Sequence, residues 1–406
     1  MGLALAPGLG STYAPQSVAM NSVGTNKVTV ERLTVSDFRC YRAAEIAPAG
    51  RPVVLTGPNG AGKTNLLEAV SFLAPGRGLR RASLADVARR GASAEGPAPW
   101  AVSARLGTIT GAVTAGTGLD PSALPGTVRR VVRIDGQTAS SQVELGELIV
   151  VQWLTPQMDR LFLDGPAGRR RFVDRMVYGM QQGHAAALAA YDQAMRERTK
   201  LLKEGRGDDR WLTALEDVMA TDGVAVSAAR LSAIDRLVRA ARVRTDTVFP
   251  TADLAVTGTV EAWLADRPAV EAEDALRDLL RERRPIDAAA GAATEGPHRS
   301  DVEVRHRAKD MPASQCSTGE QKALLIGLIL ANARVTEAER GTPPVLLLDE
   351  VAAHLDEGRR RALFAELEDL GGQAWLTGTD RSLFEGMAAD TLWVGVDDGQ
   401  LKVEIG

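Results

Sequence analysis

The sequence predicts an α/β fold with a mixed β-sheet core and a helical second lobe. Strand patterns fill the first 155 residues, helical periodicity begins at residue 166, and short apolar runs return after residue 345. With 406 residues, 45% of them hydrophobic, the chain is long enough to bury a large core. It therefore forms one large domain or two closely joined lobes.

The first part of the chain, over residues 27–165, is predicted to be rich in β-structure. Alternation of apolar and polar residues at 28–35 indicates a half-buried strand, and the apolar run at 53–55 indicates a buried one. Three later segments continue the β pattern: 100–106, 131–134 and 149–153. Asp135-Gly136 marks a hairpin turn between strands.

A helical lobe is predicted over residues 166–290. Apolar and large residues recur there at intervals of three and four, as at Leu188, Tyr191 and Met195, and a long amphipathic stretch covers 211–243. No heptad register continues through the interruptions at Gly205 to Gly207 and at Asp222-Gly223, so a long coiled coil is excluded. Strand-like runs then return at 345–348, 374–377 and 392–396 within a final part over residues 291–406.

Composition limits the class of protein further. Residues 1–26, rich in Gly, Ala, Ser and Pro, are expected to be a flexible extension. The sequence has no apolar run of eighteen residues and no secretory signal pattern, so we expect a cytoplasmic protein without a membrane partner. Cys40 and Cys316 are too few for a disulfide framework. The net charge of −4 means that any nucleic-acid surface must be a local patch.

A phosphate-loop pattern lies between the predicted strand at 53–55 and a predicted helix from Lys63. The segment reads Gly57, Pro58, Asn59, Gly60, Ala61, Gly62, Lys63 and Thr64. Such a loop wraps backbone N–H groups around phosphates, and the helix N-terminus adds positive potential. We expect Lys63 to reach the β- and γ-phosphates of ATP and Thr64 to bind Mg²⁺. The sequence thus predicts a P-loop NTPase with ATP and Mg²⁺ as cofactors.

Two carboxylates follow the apolar run at 345–348. The end of a buried parallel strand would bring Asp349 and Glu350 beside the phosphate loop. Asp349 is predicted to hold Mg²⁺, and Glu350 to be the general base that deprotonates the attacking water. Lys63, Asp349 and Glu350 are therefore the predicted catalytic residues.

Ser317 precedes an apolar helix. It is interpreted either as a helix N-cap or as part of a second anion site, with Gly319, aimed at a phosphate bound by another subunit. The run Cys316-Ser317-Thr318-Gly319-Glu320-Gln321 resembles the signature motif of ABC ATPases, and His354-Leu355-Asp356 resembles their D-loop. Gln152 and Gln157 are alternative Q-loop residues. The predicted ATP-binding set adds to the phosphate loop Asn65, Ser317, Gly319, Gln321 and Asp356.

Several longer segments carry a more specific resemblance. They are Asp37-Phe38-Arg39-Cys40-Tyr41, Asn65-Leu66-Leu67-Glu68-Ala69, residues 72–80, Thr155-Pro156, Gly165-Pro166, residues 169–175, residues 296–301 and residues 317–322. From about residue 27 onward the chain resembles the RecF family of bacterial DNA repair ATPases. Ser300 stands where many members have Asp, so we assign it no role.

The resemblance implies a P-loop NTPase of the ABC and SMC-head type, in which residues 27–165 and 291–406 form the ATP-binding lobe. It implies slow, DNA-stimulated ATP hydrolysis by a homodimer that closes head to head on ATP. Double-stranded and gapped DNA are the implied ligands, and RecO-type and RecR-type mediators the implied partners. Recombinase loading at replication gaps is the implied task.

DNA contacts are predicted at local groups of arginines. Arg77, Arg80 and Arg81 follow the first helix, and Arg169, Arg170, Arg171 and Arg175 begin the helical lobe. A third group is Arg196, Arg198, Lys200 and Lys203. Each group is interpreted alternatively as a solvated helix face or as ion-pair partners. Aromatic residues are only 4% of the chain, which favours phosphate-led duplex binding. His298 and Arg299 are expected to serve packing or a hinge between lobes, with a DNA or nucleotide contact as the alternative.

Two other functions compete with a DNA clamp. The chain could be an ABC-type ATPase subunit that powers a separate transport or assembly partner. Against this, Leu376-Thr377-Gly378-Thr379-Asp380 stands where ABC transporters usually have a histidine. It could also be a nucleotide-gated binding module with negligible turnover, an interpretation that Glu350 disfavours.

Overall fold

A computed structural model describes residues 27–89, 99–120, 128–205, 208–243 and 248–404. The flexible extension predicted for residues 1–26 lies outside these ranges. The strands are β1 (Thr29–Phe38), β2 (Tyr41–Ile46), β3 (Val53–Thr56), β4 (Ala101–Thr108), β5 (Gly111–Leu119), β6 (Arg130–Ile134), β7 (Gln137–Thr138), β8 (Val151–Leu154), β9 (Ala252–Thr257), β10 (Asp301–His306), β11 (Met311–Pro312), β12 (Val345–Leu348), β13 (Ala374–Gly378), β14 (Leu392–Asp397) and β15 (Gln400–Glu404).

The α-helices are interspersed with these strands along the sequence. They are α1 (Lys63–Ser71), α2 (Leu84–Val87), α3 (Val143–Leu148), α4 (Pro166–Met180), α5 (His184–Glu204), α6 (Asp209–Val243), α7 (Thr259–Asp266), α8 (Ala269–Glu282), α9 (Arg284–Ala290), α10 (Thr318–Arg340) and α11 (Glu357–Leu370). Among the described segments, no helix is long and apolar enough to cross a membrane.

The central sheet has the order β15-β14-β3-β13-β12-β8. The five strands from β14 to β8 run parallel to one another, and only β15 is antiparallel to its partner β14. Strands β3, β8 and β12 are buried along their whole length, as expected for parallel strands covered on both faces. Because parallel strands end at the same edge, the residues that follow β3, β12, β13 and β8 meet there.

Side chains of the central sheet alternate between two cores. Val53, Leu55 and Leu347 belong to the core shared with α1 and the first strands, whereas Val54 and Leu346 belong to the core shared with α10. This two-residue period follows from the pleat of a strand. The sheet is therefore a buried layer that holds its carboxyl edge rigidly.

A second, antiparallel sheet has the order β2-β1-β4-β5-β6-β7. Phe38, Phe72 and Trp100 join it to α1 through edge-to-face ring contacts with centroids 5.8, 5.6 and 5.0 Å apart. Such pairs stabilise beyond their area, by about 1 kcal/mol each. These contacts hold the carboxyl end of α1, where Phe72 is the C-cap, against the end of β1.

Helix α6 is the long element of the helical lobe and packs against α5 and α8. It continues through Gly223, where only the heptad register is interrupted, and the amphipathic stretch predicted over 211–243 forms one helix. Gly223 packs closely against the neighbouring helix, because a Cβ atom at this position would lie 3.0 Å from the ring of Tyr191. Glycine is retained here for close approach and does not end the helix.

A small sheet that the sequence patterns did not indicate is formed by β9, which lies between α6 and α7, and by β10 and β11, which lie between α9 and α10. Its order is β11-β10-β9, and all its strands are antiparallel. Leu254 pairs with Val304 and Val256 with Val302 in register, and these residues contribute to a separate apolar cluster with α4 and α6. The segment predicted to be helical over 166–290 thus includes one strand, β9.

Candidate nucleotide site

The phosphate loop connects the end of β3 to the first residue of α1. Gly57 and Gly62 have φ angles of 143° and 119°, a region that side chains disfavour. A Cβ atom at Gly57 would lie 2.1 Å from the carbonyl oxygen of Val396, and one at Gly62 would lie 2.8 Å from Sγ of Cys40. The loop conformation therefore requires glycine at both positions, as its motif predicts.

Lys63 is held over the loop that precedes it. Its Nζ donates hydrogen bonds to the carbonyl oxygens of Gly57 (2.6 Å) and Pro58 (2.9 Å). Burial lowers the pKa of Lys63, whereas the negative charges of Glu350 and Asp349 oppose that change. The ammonium group consequently lies in the field of the two carboxylates that follow β12.

Asp349, which directly follows β12, is hydrogen-bonded to both helix α1 and strand β13. Its Oδ1 accepts hydrogen bonds from Thr64 (2.9 Å) in α1 and from Thr377 (2.8 Å) in β13. Burial raises the pKa of Asp349, the hydrogen bonds from Thr377 and Thr64 lower it, and the charge of Glu350 raises it further. A cation beside this carboxylate would favour its ionised form.

The donor set fits magnesium. Thr64 and Asp349 supply hydroxyl and carboxylate oxygens, the ligand type that Mg²⁺ prefers, and Mg²⁺ commonly keeps waters and substrate phosphates as its other ligands. Within the ranges that the structure describes, no group of three acidic, histidine or cysteine side chains could hold a metal by itself. A metal at this position would therefore depend on the nucleotide for further ligands.

Glu350 follows Asp349 in an uncommon backbone conformation. Its φ angle is 54°, in the left-handed region that non-glycine residues rarely adopt. Its N–H donates a 2.9 Å hydrogen bond to Oγ1 of Thr377. Strained residues of this kind cluster at functional sites, and here the strain is held by an identified bond.

Ser317 caps the N-terminus of α10. The N–H of Glu320 donates to Oγ of Ser317 (3.4 Å), and the N–H of Ser317 donates to Oε2 of Glu320 (3.0 Å), which together form a capping box. Glu320 also pairs with Lys309, and these bonds lower the pKa of Glu320 to about 2. The N-cap interpretation is thus met, while Ser317 and Gly319 remain exposed to solvent.

The other predicted ATP-binding residues near α10 have different environments. Gln321 is buried, and its Nε2 donates a 2.8 Å hydrogen bond to the carbonyl oxygen of Cys316. Asp356 is exposed and caps α11 by accepting from the N–H of Arg359 at 2.8 Å. Gln321 supports the loop before the helix, whereas Asp356 lies at the surface.

The two Q-loop alternatives are separated by burial. Gln152 lies within β8, and its Nε2 donates to Oγ1 of Thr336 at 2.9 Å. Gln157 is exposed in a short 3₁₀ helix, Pro156–Arg160, just beyond the carboxyl end of β8. Only Gln157 lies past the strand at the edge where Asp349 and Glu350 lie.

A charged network supports the first turns of α1, and the sequence did not predict it. Glu68 is fully buried and accepts a two-bond contact from Arg39 (2.8 and 2.7 Å) and a 3.1 Å bond from Arg80. Arg80 also donates to Oδ1 of Asn65 at 2.6 Å, and Asn65 donates to Sγ of Cys40. The only sequence signal for it was the inclusion of Arg39 and Glu68 in family-like segments.

The predicted DNA-contacting arginines fall into two groups. Arg169 makes a two-bond ion pair with Asp301 (2.8 and 2.9 Å), and Arg170 donates to the carbonyl oxygen of Ser300 at 2.5 Å. Across the described chain, the guanidinium groups of Arg77, Arg81 and Arg171 form no hydrogen bond or ion pair. Loss of solvation, followed by the charges of Arg171 and Arg77, lowers the pKa of Arg81, so these cations are neighbours.

Arg198 and Arg175, two further residues of the predicted basic groups, make contacts within the protein. Arg198 is fully buried and bonds to Glu216 (2.9 Å) and Asp287 (2.7 Å), so of the two interpretations of its group it meets that of an ion-pair partner. Arg175 lies over the ring of Trp153 at 4.6 Å, and burial lowers its pKa to about 10. His298 contacts Tyr191 and the carbonyl oxygen of Ala293, which agrees with a packing role.

The parallel sheet, the phosphate loop and the Asp-Glu pair define a P-loop ATPase fold of the ABC and SMC-head type. The model of the RecF/RecN/SMC N terminal domain family matches residues 29–399. The chain belongs to the RecF family. The DNA replication and repair protein RecF of Rhizobium rhizogenes is 50% identical over 363 residues, covering 89% of this chain and 95% of the relative. That of Brucella suis is 48% identical over 379 residues, covering 93% and 96%.

Solved structures show the same fold. A recombination mediator protein RecF, solved with ATPrS and described as part of the RecFOR pathway, aligns with a TM-score of 0.78 at 20% identity. That alignment covers 93% of this chain and 98% of the other. An SMC head bound to the C-winged helix domain of ScpA aligns with a TM-score of 0.52 at 15% identity over 93% and 97% of the two chains. The family and the fold class are thereby confirmed.

Proposed function

We propose that this protein is an ATP-dependent DNA clamp that dimerises on ATP, hydrolyses it slowly and acts in recombinational repair and replication-gap processing. The observation that carries the proposal is the division of the nucleotide-handling residues. Lys63, Thr64, Asp349 and Glu350 lie together at one sheet edge, whereas Ser317 is exposed at the start of α10. No hydrogen bond or ion pair of the described residues joins Ser317 to the phosphate loop.

Each residue of the first group has a chemical task in hydrolysis. Lys63 and the loop N–H groups bind the β- and γ-phosphates. Thr64 and Asp349 hold Mg²⁺, which neutralises charge on the phosphates when it is bound. Glu350 accepts the proton of the attacking water, and its place directly after Asp349 puts a base just beyond the metal ligand.

Ser317, the start of α10 and Asp356 complete the nucleotide site of another copy of the protein. In a head-to-head dimer, Ser317 and the N–H groups at the start of α10 face the γ-phosphate held by the partner, and Asp356 lines the same contact. The N-terminus of α10, a helix of 23 residues, attracts an anion at this position. ATP thus stabilises the closed dimer, and hydrolysis opens it.

DNA binding is assigned to the neighbouring, unpaired arginines. Arg77, Arg81 and Arg171 offer guanidinium groups with no internal ion pair to break, whereas Arg80 and Arg169 are already bound to carboxylates. One guanidinium group can donate two hydrogen bonds to two oxygens of the same phosphate group. We therefore infer double-stranded and gapped DNA as ligands in the cytoplasm, with RecO-type and RecR-type mediators as protein partners, in keeping with the names of the relatives.

The test measures molar mass by light scattering and ATP turnover, with and without duplex DNA. Wild type should form ATP-dependent dimers, and duplex DNA should raise its turnover. Lys63→Met should stay monomeric because it cannot grip the triphosphate, whereas Glu350→Gln should give dimers that persist because water is not activated. Monomer mass in all three proteins with ATP would reject the clamp.

A further inference from the structure

Thr377 lies between the two nucleotide-handling strands. It belongs to β13, which pairs with β3 on one side and β12 on the other, and Thr377 itself is in register with Leu55. The residue before it, Leu376, is in register with Leu348, the last residue of β12. Thr377 therefore lies beside the start of the phosphate loop and the Asp349-Glu350 pair.

The Thr377 hydroxyl is both a hydrogen-bond donor and a hydrogen-bond acceptor toward the Asp349-Glu350 pair. It donates to Oδ1 of Asp349 at 2.8 Å and accepts from the N–H of Glu350 at 2.9 Å. The directions are fixed, because a backbone N–H only donates and an ionised carboxylate only accepts. One hydroxyl thus bridges two consecutive residues of the predicted catalytic set.

Because Thr377 is buried, loss of its hydroxyl is costly. Thr377 is 1% exposed, so water cannot replace either bond when the hydroxyl is removed. Glu350 also has a φ angle of 54°, and its N–H bond to Thr377 holds that conformation. The direction in which the Glu350 side chain leaves the backbone depends on this φ angle.

We propose that Thr377 is a positioning residue for ATP hydrolysis, orienting the Asp349 carboxylate and fixing the backbone from which Glu350 acts. This inference rests on the proposed ATPase function and adds a residue that acts through Asp349 and Glu350. The valine and serine variants separate its two possible contributions. Valine keeps the branched shape without the hydroxyl, and serine keeps the hydroxyl without the extra methyl group.

The experiment compares kcat, ATP affinity and ATP-dependent dimer lifetime for wild type, Thr377→Val and Thr377→Ser. Thr377→Val should lower kcat about tenfold or more, since misplacement of a catalytic group by about 1 Å can cost about 100-fold in rate. Its ATP affinity should stay within about threefold of wild type, because the phosphate loop is untouched. Its dimers should therefore outlast those of wild type in ATP, and Thr377→Ser should recover most of the turnover.

The matched control is Thr391→Val, which removes the hydroxyl of another buried threonine, one that bonds to the carbonyl oxygen of Ala388. It should leave kcat unchanged. Turnover of Thr377→Val within twofold of wild type would overturn the inference, as would equal losses in Thr377→Val and Thr377→Ser or a parallel loss of ATP affinity. If wild type itself neither turns over ATP nor dimerises, the proposed function fails instead.

Discussion

The hydroxyl of Thr64 donates a 2.9 Å hydrogen bond to the carboxylate of Asp349, although 285 residues separate the two in the chain. The bond joins the first turn of α1 to the end of β12. Both positions lie at the carboxyl edge of the central sheet, where parallel strands deliver their following residues. One chain thus assembles the phosphate and metal half of the proposed site without help from a partner.

The capping box at α10 predicts a pH-dependent stability. The pKa of Glu320 falls from 4.5 in the unfolded chain to about 2 in the folded protein, first because of the bond from Lys309. A lowered folded pKa stabilises the protein above the unfolded value, and this contribution is lost as pH falls from about 4.5 toward 2. Thermal unfolding of wild type and Glu320→Gln should therefore differ at pH 7 and converge near pH 2.

Glutamine at the same position keeps the box hydrogen bonds, so the difference isolates the charge. A gap in melting temperature that stays constant across this pH range would contradict the assigned ion pair.

The buried ion pairs of Arg198 predict a large loss of stability on its removal. Arg198→Met would leave the buried Asp287 without its cation, while Glu216 keeps its ion pair with Arg284, at a cost of about 3 kcal/mol or more. Arg196→Met is the matched control, because Arg196 is exposed on the same helix and should cost less than about 0.5 kcal/mol. Urea unfolding measures both, and equal midpoints for the two variants would be inconsistent with the buried network.

The unpaired arginines predict a loss of salt-dependent DNA affinity. Replacing Arg77, Arg81 and Arg171 together by glutamine should weaken binding to short duplexes of any sequence. Each lost phosphate contact should flatten the slope of log affinity against log salt by about 0.9. Fluorescence anisotropy at several salt concentrations gives both numbers.

The control variant removes the same charge from exposed arginines elsewhere, at Arg129, Arg239 and Arg361. If both triple variants lose affinity equally, the arginine cluster has no special role and the loss reflects net charge alone.

Much of the phosphate half could be predicted because its signals are local. The glycine-rich loop and the carboxylate pair each follow a run of apolar residues, and each pattern is contained within about ten residues of sequence. Parallel pairing of the strands then brings the two segments together. Thr377 was not predicted, because its role depends on β13 lying between β3 and β12, a topology that no local pattern encodes.

Ion-pair partners were unpredictable for a similar reason. Arg169 finds Asp301 across 132 residues of sequence, and Arg198 finds Asp287 across 89. Periodicity marks which face of a helix is polar, yet it cannot tell a solvated arginine from a buried paired one. Strand β9 was missed because its exposed and half-buried residues give weak alternation.

In the proposed dimer, Ser317 of one subunit completes the site built around Lys63 of the other. Ser317→Asp tests it without unfolding α10, because aspartate caps a helix as well as serine while placing a negative charge where the partner's phosphate would bind. Lys63→Met disables the other half. Each variant alone should hydrolyse ATP at background rate.

The deciding measurement is ATP turnover after the two variants are mixed. Mixed dimers contain one intact site, so activity should return to about a quarter of wild type or less, since random mixing makes half of the dimers mixed. Lys63→Met mixed with Glu350→Gln is the control and should stay inactive, because both residues belong to the same half. Recovery in the first mixture alone is the predicted result, and no recovery there would contradict a site shared between two copies.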